Sequence, residues 1–152
     1  MQLQSLKDRT SFNGNKEKQK FQNLQKLIVE LKKRNLSDEL IAVLNKEIEL
    51  LNGIGNHPRV FKKQLRVSQN KILSKLERKA KIVTKHHYRN MWLALGLAVF
   101  GVPIGLILSN ILDNSGLIGI GFPFGMFIGI VLGNQMDKKA AVKGNQIDIV
   151  ML

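Results

Sequence analysis

Residues 91–112 read MWLALGLAVFGVPIGLILSNIL, an unbroken run of 22 residues without a charged side chain. Residues 116–133 read GLIGIGFPFGMFIGIVLG, a second uncharged run of 18 residues. A helix needs about 20 apolar residues to cross a hydrocarbon core about 30 Å thick, with a lower limit of about 17. Both runs therefore predict transmembrane helices. Burial inside a soluble protein is the disfavoured alternative, because the rest of this short chain has too little apolar surface to cover both runs.

The connection between the two runs and the charges around them predict the topology. The connection is Asp113, Asn114, Ser115 and Gly116, all turn-forming residues, and so short a link predicts an antiparallel hairpin. Its tip carries no Lys or Arg, whereas the outer flanks carry Lys79, Lys81, Lys85 and Arg89 on one side and Lys138, Lys139 and Lys143 on the other. The positive-inside rule then places both termini in the cytoplasm, with the chain as a multi-pass protein of the inner (plasma) membrane.

The rest of the chain has a different composition. Residues 1–90 hold 21 Lys and Arg against 8 Asp and Glu, while residues 91–133 hold one charge, Asp113. Residues 1–17 are polar and predict a disordered segment. Residues 18–90 predict a basic cytoplasmic three-helix domain whose last helix runs as a stalk from Pro58 into the first span. The hairpin then covers residues 91–134, and residues 135–152 form a cytoplasmic tail.

Small residues follow one face of each predicted span. The second span repeats glycine every four residues, at Gly121, Gly125, Gly129 and Gly133. The first span offers Ala94, Ala98, Gly101, Gly105 and Ser109. Such faces let helix backbones approach closely in lipid, where no hydrophobic force drives helices together. Two interpretations stay open: the faces close one hairpin, or at least one of them binds a neighbouring subunit in a homo-oligomer, which we favour.

The end of the second span resembles the glycine-zipper proteins found among small bacterial membrane proteins. The similarity covers about 30 residues: the glycine ladder, then Asp137, Lys138, Lys139 and Ala140, then Lys143, Gly144, Asn145 and Gln146. Pro123 departs from the smoother ladder of that family. The resemblance implies a bacterial origin and self-association, and it implies no particular activity.

The basic stretch of residues 57–90 holds 11 Lys and Arg with a single acid, Glu77. We expect contact with anionic lipid headgroups, each basic residue near the surface contributing about 1 kcal/mol. The residues assigned to this contact are Lys75, Lys79, Lys81, Lys85 and Arg89. A topology signal with a solvated face is the simpler alternative. A nucleotide ligand or a cytoplasmic protein partner stays open, and nucleic acid is disfavoured because stacking aromatics are scarce here.

The sequence offers little for catalysis. It has no cysteine, no glycine-rich phosphate loop and no paired carboxylates, and the adjacent His86 and His87 point to different faces of a helix. We therefore expect no enzymatic activity, no cofactor and no metal. Because ionisable groups are absent from membrane mid-depth, a proton carrier is also disfavoured.

Two functions remain. The leading hypothesis is an oligomeric pore or permeabilising effector, controlled by the cytoplasmic helical domain and lined by Ser109 and Asn110. The alternative is a non-conducting anchor or scaffold that recruits a cytoplasmic partner.

Overall fold

The computed structural model of the chain describes residues 1–12, 14–55 and 57–151. The described chain is mainly helical, and two of its helices are long and apolar enough to cross a membrane, so the predicted fold class is confirmed at that level. The chain divides into two compact units, Met1–Thr84 with Ile147–Leu152, and Lys85–Gln146. The elements are α1 (Asn15–Lys32), α2 (Asp38–Gly53), α3 (Pro58–Lys75), β1 (Val83–Thr84), α4 (His87–Gly96), α5 (Val102–Ile111), α6 (Gly121–Val142) and β2 (Gln146–Ile147).

The first unit is a three-helix domain around an aliphatic core. Its most deeply buried side chains come from all three helices and include Leu24, Leu27, Leu44, Ile48, Phe61 and Leu65. Ser37 caps α2 as its position predicts, because its hydroxyl accepts the Leu40 N–H at 3.4 Å. Pro58 occupies the first turn of α3, where its missing N–H leaves no bond unmade.

The N-terminal segment differs from its prediction of disorder. Residues 1–12 form neither helix nor strand, yet Leu3 and Leu6 are only 9% and 8% exposed. Asn45 and Asn52 of α2 hydrogen-bond to the backbone of this segment. Two leucines among polar residues give no helical or strand periodicity, so the sequence alone does not show that the segment packs. We call residues 1–12 the N-terminal arm.

The predicted continuous stalk is not formed, because the helix that begins at Pro58 ends before the first apolar helix. A π-helical turn, Leu76–Ala80, extends α3, and Lys81 then adopts a left-handed conformation with φ 57°. The Lys81 and Ile82 N–H groups close the helix end on the carbonyls of Glu77 and Leu76 at 3.2 Å. Leaving the helix lets Ile82 and Val83 bury their side chains, at 7% and 4% exposed.

The predicted C-terminal tail also has structure. Helix α6 continues to Val142, and Gly144 then turns the chain with φ 70°. Ile147 of β2 lies in a two-stranded sheet with β1 and is 3% exposed in the core of the first unit. Asn23 of α1 donates to the carbonyl of Val150 at 2.9 Å. Residues after 146 therefore complete the helical domain.

The second unit consists of two apolar helices. The first apolar helix, His87–Ile111, joins α4 and α5 through a π-helical turn, Leu97–Gly101. The second, Ser115–Val142, begins with a 3₁₀ segment, Ser115–Ile120, and continues as α6. Pro103 explains the π turn, because proline cannot donate a hydrogen bond to the preceding turn and its ring clashes there. Pro123 lies in the first turn of α6, where proline costs little.

Candidate functional site

The glycine ladder of α6 packs against the first apolar helix of the same chain. Gly121, Gly125, Gly129 and Gly133 are all buried. A Cβ atom built on any of them would come within 3.0 Å of backbone atoms of the first apolar helix. Larger side chains therefore do not fit unless the helices separate, and glycine is required here for close approach rather than for its backbone freedom.

The contacts run in antiparallel order along the pair. Gly133 lies over Arg89, Gly129 over Trp92 and Leu93, Gly125 over Gly96 and Gly101, and Gly121 over Gly101 and Gly105. At Gly125 and Gly121 the contacting residues of the first helix are themselves glycines, so both backbones are bare of side chains at these two positions. Within one chain, the structure therefore brings the glycine ladder of α6 against the first apolar helix.

The register on the first apolar helix differs from the predicted one. Ala94 and Ala98 are exposed and lie off the contact face, whereas Gly96, absent from the predicted face, lies on it beside Gly101 and Gly105. The π turn over Leu97–Gly101 adds one residue to the helical turn, so Gly96 and Gly101, five residues apart, share one face. Regular α-helical spacing cannot reveal this, because it assumes an unbroken period.

Asp137 occupies the next position of the ladder, four residues beyond Gly133, and is 7% exposed. One carboxylate oxygen accepts the Tyr88 N–H at 3.1 Å, and the other accepts the Arg89 N–H at 3.1 Å. These N–H groups belong to the first turn of α4, which lacks a side-chain cap of its own. Asp137 therefore caps the first apolar helix from the second, and its negative charge faces the positive end of the helix dipole.

Aromatic side chains surround the same end of the pair. Trp92 directs its indole N–H at the sulfur of Met136, 2.8 Å away. His87 and Tyr88 contact each other edge to face, with ring centroids 5.1 Å apart. Amphipathic rings of this kind favour the headgroup region of a bilayer.

The residues predicted to line a pore lie near the opposite end. Ser109 is half-buried and Asn110 is exposed in the last turn of α5. The Ser109 carbonyl accepts the Asn114 N–H at 3.1 Å, so its backbone helps to close the connecting turn. In the single chain neither residue lies at the middle of the apolar pair.

The five basic residues assigned to lipid contact divide between the units. Lys75, Lys79 and Lys81 belong to the first unit, and Lys85 and Arg89 belong to the second. Lys79 forms a hydrogen-bonded ion pair with Glu39. That hydrogen bond and the positive charge of Lys79 lower the pKa of Glu39. Lys75 and Lys81 are exposed to solvent.

Among the described residues, no three His, Asp or Glu side chains are grouped so that they could hold a metal ion. Comparison of the chain with protein-family models, with curated proteins and with solved structures finds no match.

Proposed function

We propose that the chain is a non-conducting membrane anchor: the pair of apolar helices inserts into a bilayer and holds the basic helical domain at its cytoplasmic face. The observation that supports this most is how the pair distributes its residues. Its bare backbone face is used between the two helices, while its large apolar side chains point outward. They include Val99, Ile107, Phe124 and Phe127, which are 54–70% exposed.

Exposure of this kind is costly in water. Within the most apolar 18-residue windows of the two helices, only 17% and 22% of residues are buried. Apolar surface left in water costs about 25 cal/mol per Å², whereas lipid chains solvate the same surface without penalty. The 25 and 28 residues of the helices reach about 38 and 42 Å at a rise of about 1.5 Å per residue, enough for a hydrocarbon core of about 30 Å.

The orientation we propose keeps both flanks in the cytoplasm and the connection at Asn114 outside, as the charge asymmetry predicts. Asp137 and the neighbouring aromatic rings then lie at the cytoplasmic boundary. The carboxylate satisfies two backbone N–H groups where water becomes scarce, so neither the acid nor the helix end enters the bilayer without a partner.

The pore hypothesis loses its main support, because the glycine face that would join subunits is occupied inside the chain. A pore would need a second packing face among the outward apolar side chains. The proposed membrane segments also carry no charge between Asn90 and Asn134 except Asp113 at the turn, which suits an anchor.

A vesicle experiment distinguishes the two functions. The purified chain is reconstituted into anionic vesicles loaded with a self-quenching dye, then floated through a density gradient. An anchor floats with the vesicles, resists extraction by alkaline carbonate and releases no more dye than protein-free vesicles. Dye release that rises with protein content would overturn the anchor in favour of a pore. A chain that stays at the bottom of the gradient would overturn both.

The basic flank is assigned to orientation and to anionic headgroups. Replacing Lys81 and Lys85 with Glu should raise the fraction of molecules with Asn114 inside, measured with an accessible tag at that position. Lys62 and Lys63 provide the matched control, because they are exposed on α3 and lie beyond the roughly 20 residues that influence a span. Equal orientation in both double variants would show that the flank charge does not set topology.

A further inference from the structure

The N-terminal arm is held by an unusual pair of contacts from α2. The Asn45 amide donates to the Gln2 carbonyl at 3.0 Å and accepts the Gln4 N–H at 2.8 Å. Each amide therefore satisfies the backbone on both sides of one residue, in this case Leu3. The backbone of an extended segment has no internal hydrogen bonds, so these side-chain contacts replace a neighbouring strand.

The second contact repeats the first. Asn52 donates to the Ser5 carbonyl at 3.1 Å and accepts the Lys7 N–H at 2.9 Å, which brackets Leu6. The two asparagines lie seven residues apart on α2, about 10.5 Å along the helix axis at about 1.5 Å per residue. Three residues of extended chain span about 10 Å. The spacing of the asparagines thus matches a peptide that repeats every three residues, with one buried leucine in each repeat.

The arm reads as two copies of such a unit, Gln2-Leu3-Gln4 and Ser5-Leu6-Lys7. Its leucine side chains are buried, while Gln4 and Ser5 contact Glu49 and Lys32 from the flanking helices at the rim. Recognition therefore combines two apolar pockets with four hydrogen bonds to backbone atoms. Backbone hydrogen bonds do not depend on which side chains the peptide carries between its leucines. This is how proteins bind extended peptides of relaxed sequence.

Asn45 is 5% exposed while the arm is in place, and departure of the arm would exchange its two backbone partners for water. Departure would also remove Leu3 and Leu6 from the aliphatic core of the first unit. A second extended peptide of the same form would restore both bonds. The Ser37 cap of α2 uses no atom of the arm.

We propose that the α2 face bearing Asn45 and Asn52 is a binding site for extended segments of the form polar-Leu-polar-polar-Leu-polar. The N-terminal arm is its resident ligand in cis, and a segment of a partner protein with the same form displaces it. The inference goes beyond membrane anchoring and is independent of it, because arm and groove both belong to the first unit.

The test uses the full chain in detergent and a fluorescent synthetic peptide with the sequence of residues 1–12. Replacing Leu3→Asp and Leu6→Asp in the chain disables the arm and leaves both asparagines intact. Fluorescence anisotropy should show binding to this variant. The wild-type chain should bind at least about tenfold more weakly, because its own arm competes at an effective concentration on the order of millimolar. A peptide carrying the same two Asp substitutions should not bind.

The asparagines are tested in the arm-disabled chain. Asn45→Asp or Asn52→Asp keeps a hydrogen-bond acceptor but loses the amide donor and places a carboxylate against a peptide carbonyl. Each substitution should weaken binding of the peptide at least about tenfold. Unchanged affinity in both would overturn recognition by the asparagine pair. An arm-disabled chain that keeps its helical circular dichroism yet binds no peptide would show that the arm is a fixed part of the core.

Hydrogen exchange in the wild-type chain tests the proposal even if the arm-disabled variant does not fold. Hydrogen exchange at the Gln4 and Lys7 amides should be faster than at Leu44 and Ile48, because the arm leaves without unfolding α2. Exchange of all four only on global unfolding would overturn the proposal. Cross-linked dimers that require Leu3 and Leu6 would instead show that a neighbouring copy's arm fills the groove, which overturns occupancy in cis.

Discussion

The two units of this chain are built in opposite ways. In the first, large aliphatic side chains such as Leu24 and Ile48 point inward and are 0% exposed. In the second, the contact face is bare glycine and the large side chains such as Phe127 and Ile107 point outward. The hydrophobic effect holds the first unit together in water. In the bilayer that we propose for the second unit, close backbone approach holds its two helices together, because the surrounding lipid is as apolar as their surface. Under the proposed insertion, the two units fold in different solvents, the first in water and the second in lipid.

The largest expected effect is the loss of the helix pair when the bare face is filled. Gly125→Leu with Gly129→Leu places side chains where a Cβ already meets backbone. We expect the helices to separate, a cost of at least about 3 kcal/mol, while insertion is unchanged because leucine is apolar and a good helix former. Fluorescence energy transfer between labels on the two helices measures the separation.

Gly119→Leu is the matched control, because a Cβ at Gly119 meets nothing within 4 Å. It should leave the energy transfer unchanged. A ladder variant that keeps its energy transfer and loses cross-linked oligomers would show that the ladder joins subunits and does not pack the two helices of one chain.

The next effect concerns the first unit, where the substitution makes a side chain smaller instead of larger. Leu24→Ala removes a fully buried side chain and should cost about 2–5 kcal/mol, including the cavity it leaves. Hydrogen exchange of the α1 amides reports this loss without requiring the two units to unfold together. Val29→Ala on the same helix, where the side chain is 54% exposed, should change little. Equal effects of the two substitutions would show that the first unit lacks a packed core.

A smaller effect is expected at Asp137. Asp137→Asn keeps an oxygen acceptor but loses the charge and one of two acceptors for the α4 N–H groups, a cost of about 1–2 kcal/mol. The Tyr88 and Arg89 amides should exchange faster. Asp113→Asn is the control, because Asp113 is exposed at the turn and Asn tolerates its left-handed backbone. Unchanged exchange in the Asp137 variant would mean that the carboxylate does not stabilise the pair.

The smallest effect is at the ion pair of Lys79 and Glu39. Because the pKa of Glu39 is lowered, the pair stabilises the folded state at pH values above the ordinary pKa of a glutamate. This contribution is lost as the pH falls through the lowered pKa. Because Glu39 is exposed, the contribution to stability is small. Titration of the Glu39 carboxyl by NMR should show a higher pKa in Lys79→Met than in the wild-type chain. Identical titration curves would show that the pair does not form in solution.

The sequence predicts only some of the structural features that these experiments test. The two apolar helices follow from uninterrupted apolar runs, and the ends of α2 follow from Ser37 and Gly53, because these signals are local. The arm escapes prediction because its partners, Asn45 and Asn52, lie some forty residues away and bind backbone rather than a side-chain pattern. The position of Gly96 on the contact face cannot be predicted because a π turn shifts the helical period. The capping role of Asp137 cannot be predicted because the helix that it caps lies about fifty residues earlier in the chain.

Water accessibility of single cysteines distinguishes a lipid-facing second unit from one that faces water, and the absence of native cysteine makes the labelling specific. Val99→Cys, Ile107→Cys and Phe127→Cys place thiols on the outward apolar face, and Lys62→Cys places one on α3 of the first unit. In membranes, a water-soluble maleimide should modify the Lys62 variant once the membrane is permeabilised and should leave the three others unmodified. Labelling of the Val99, Ile107 and Phe127 variants at the rate of the Lys62 variant would show that both units face water and that the apolar pair is not inserted.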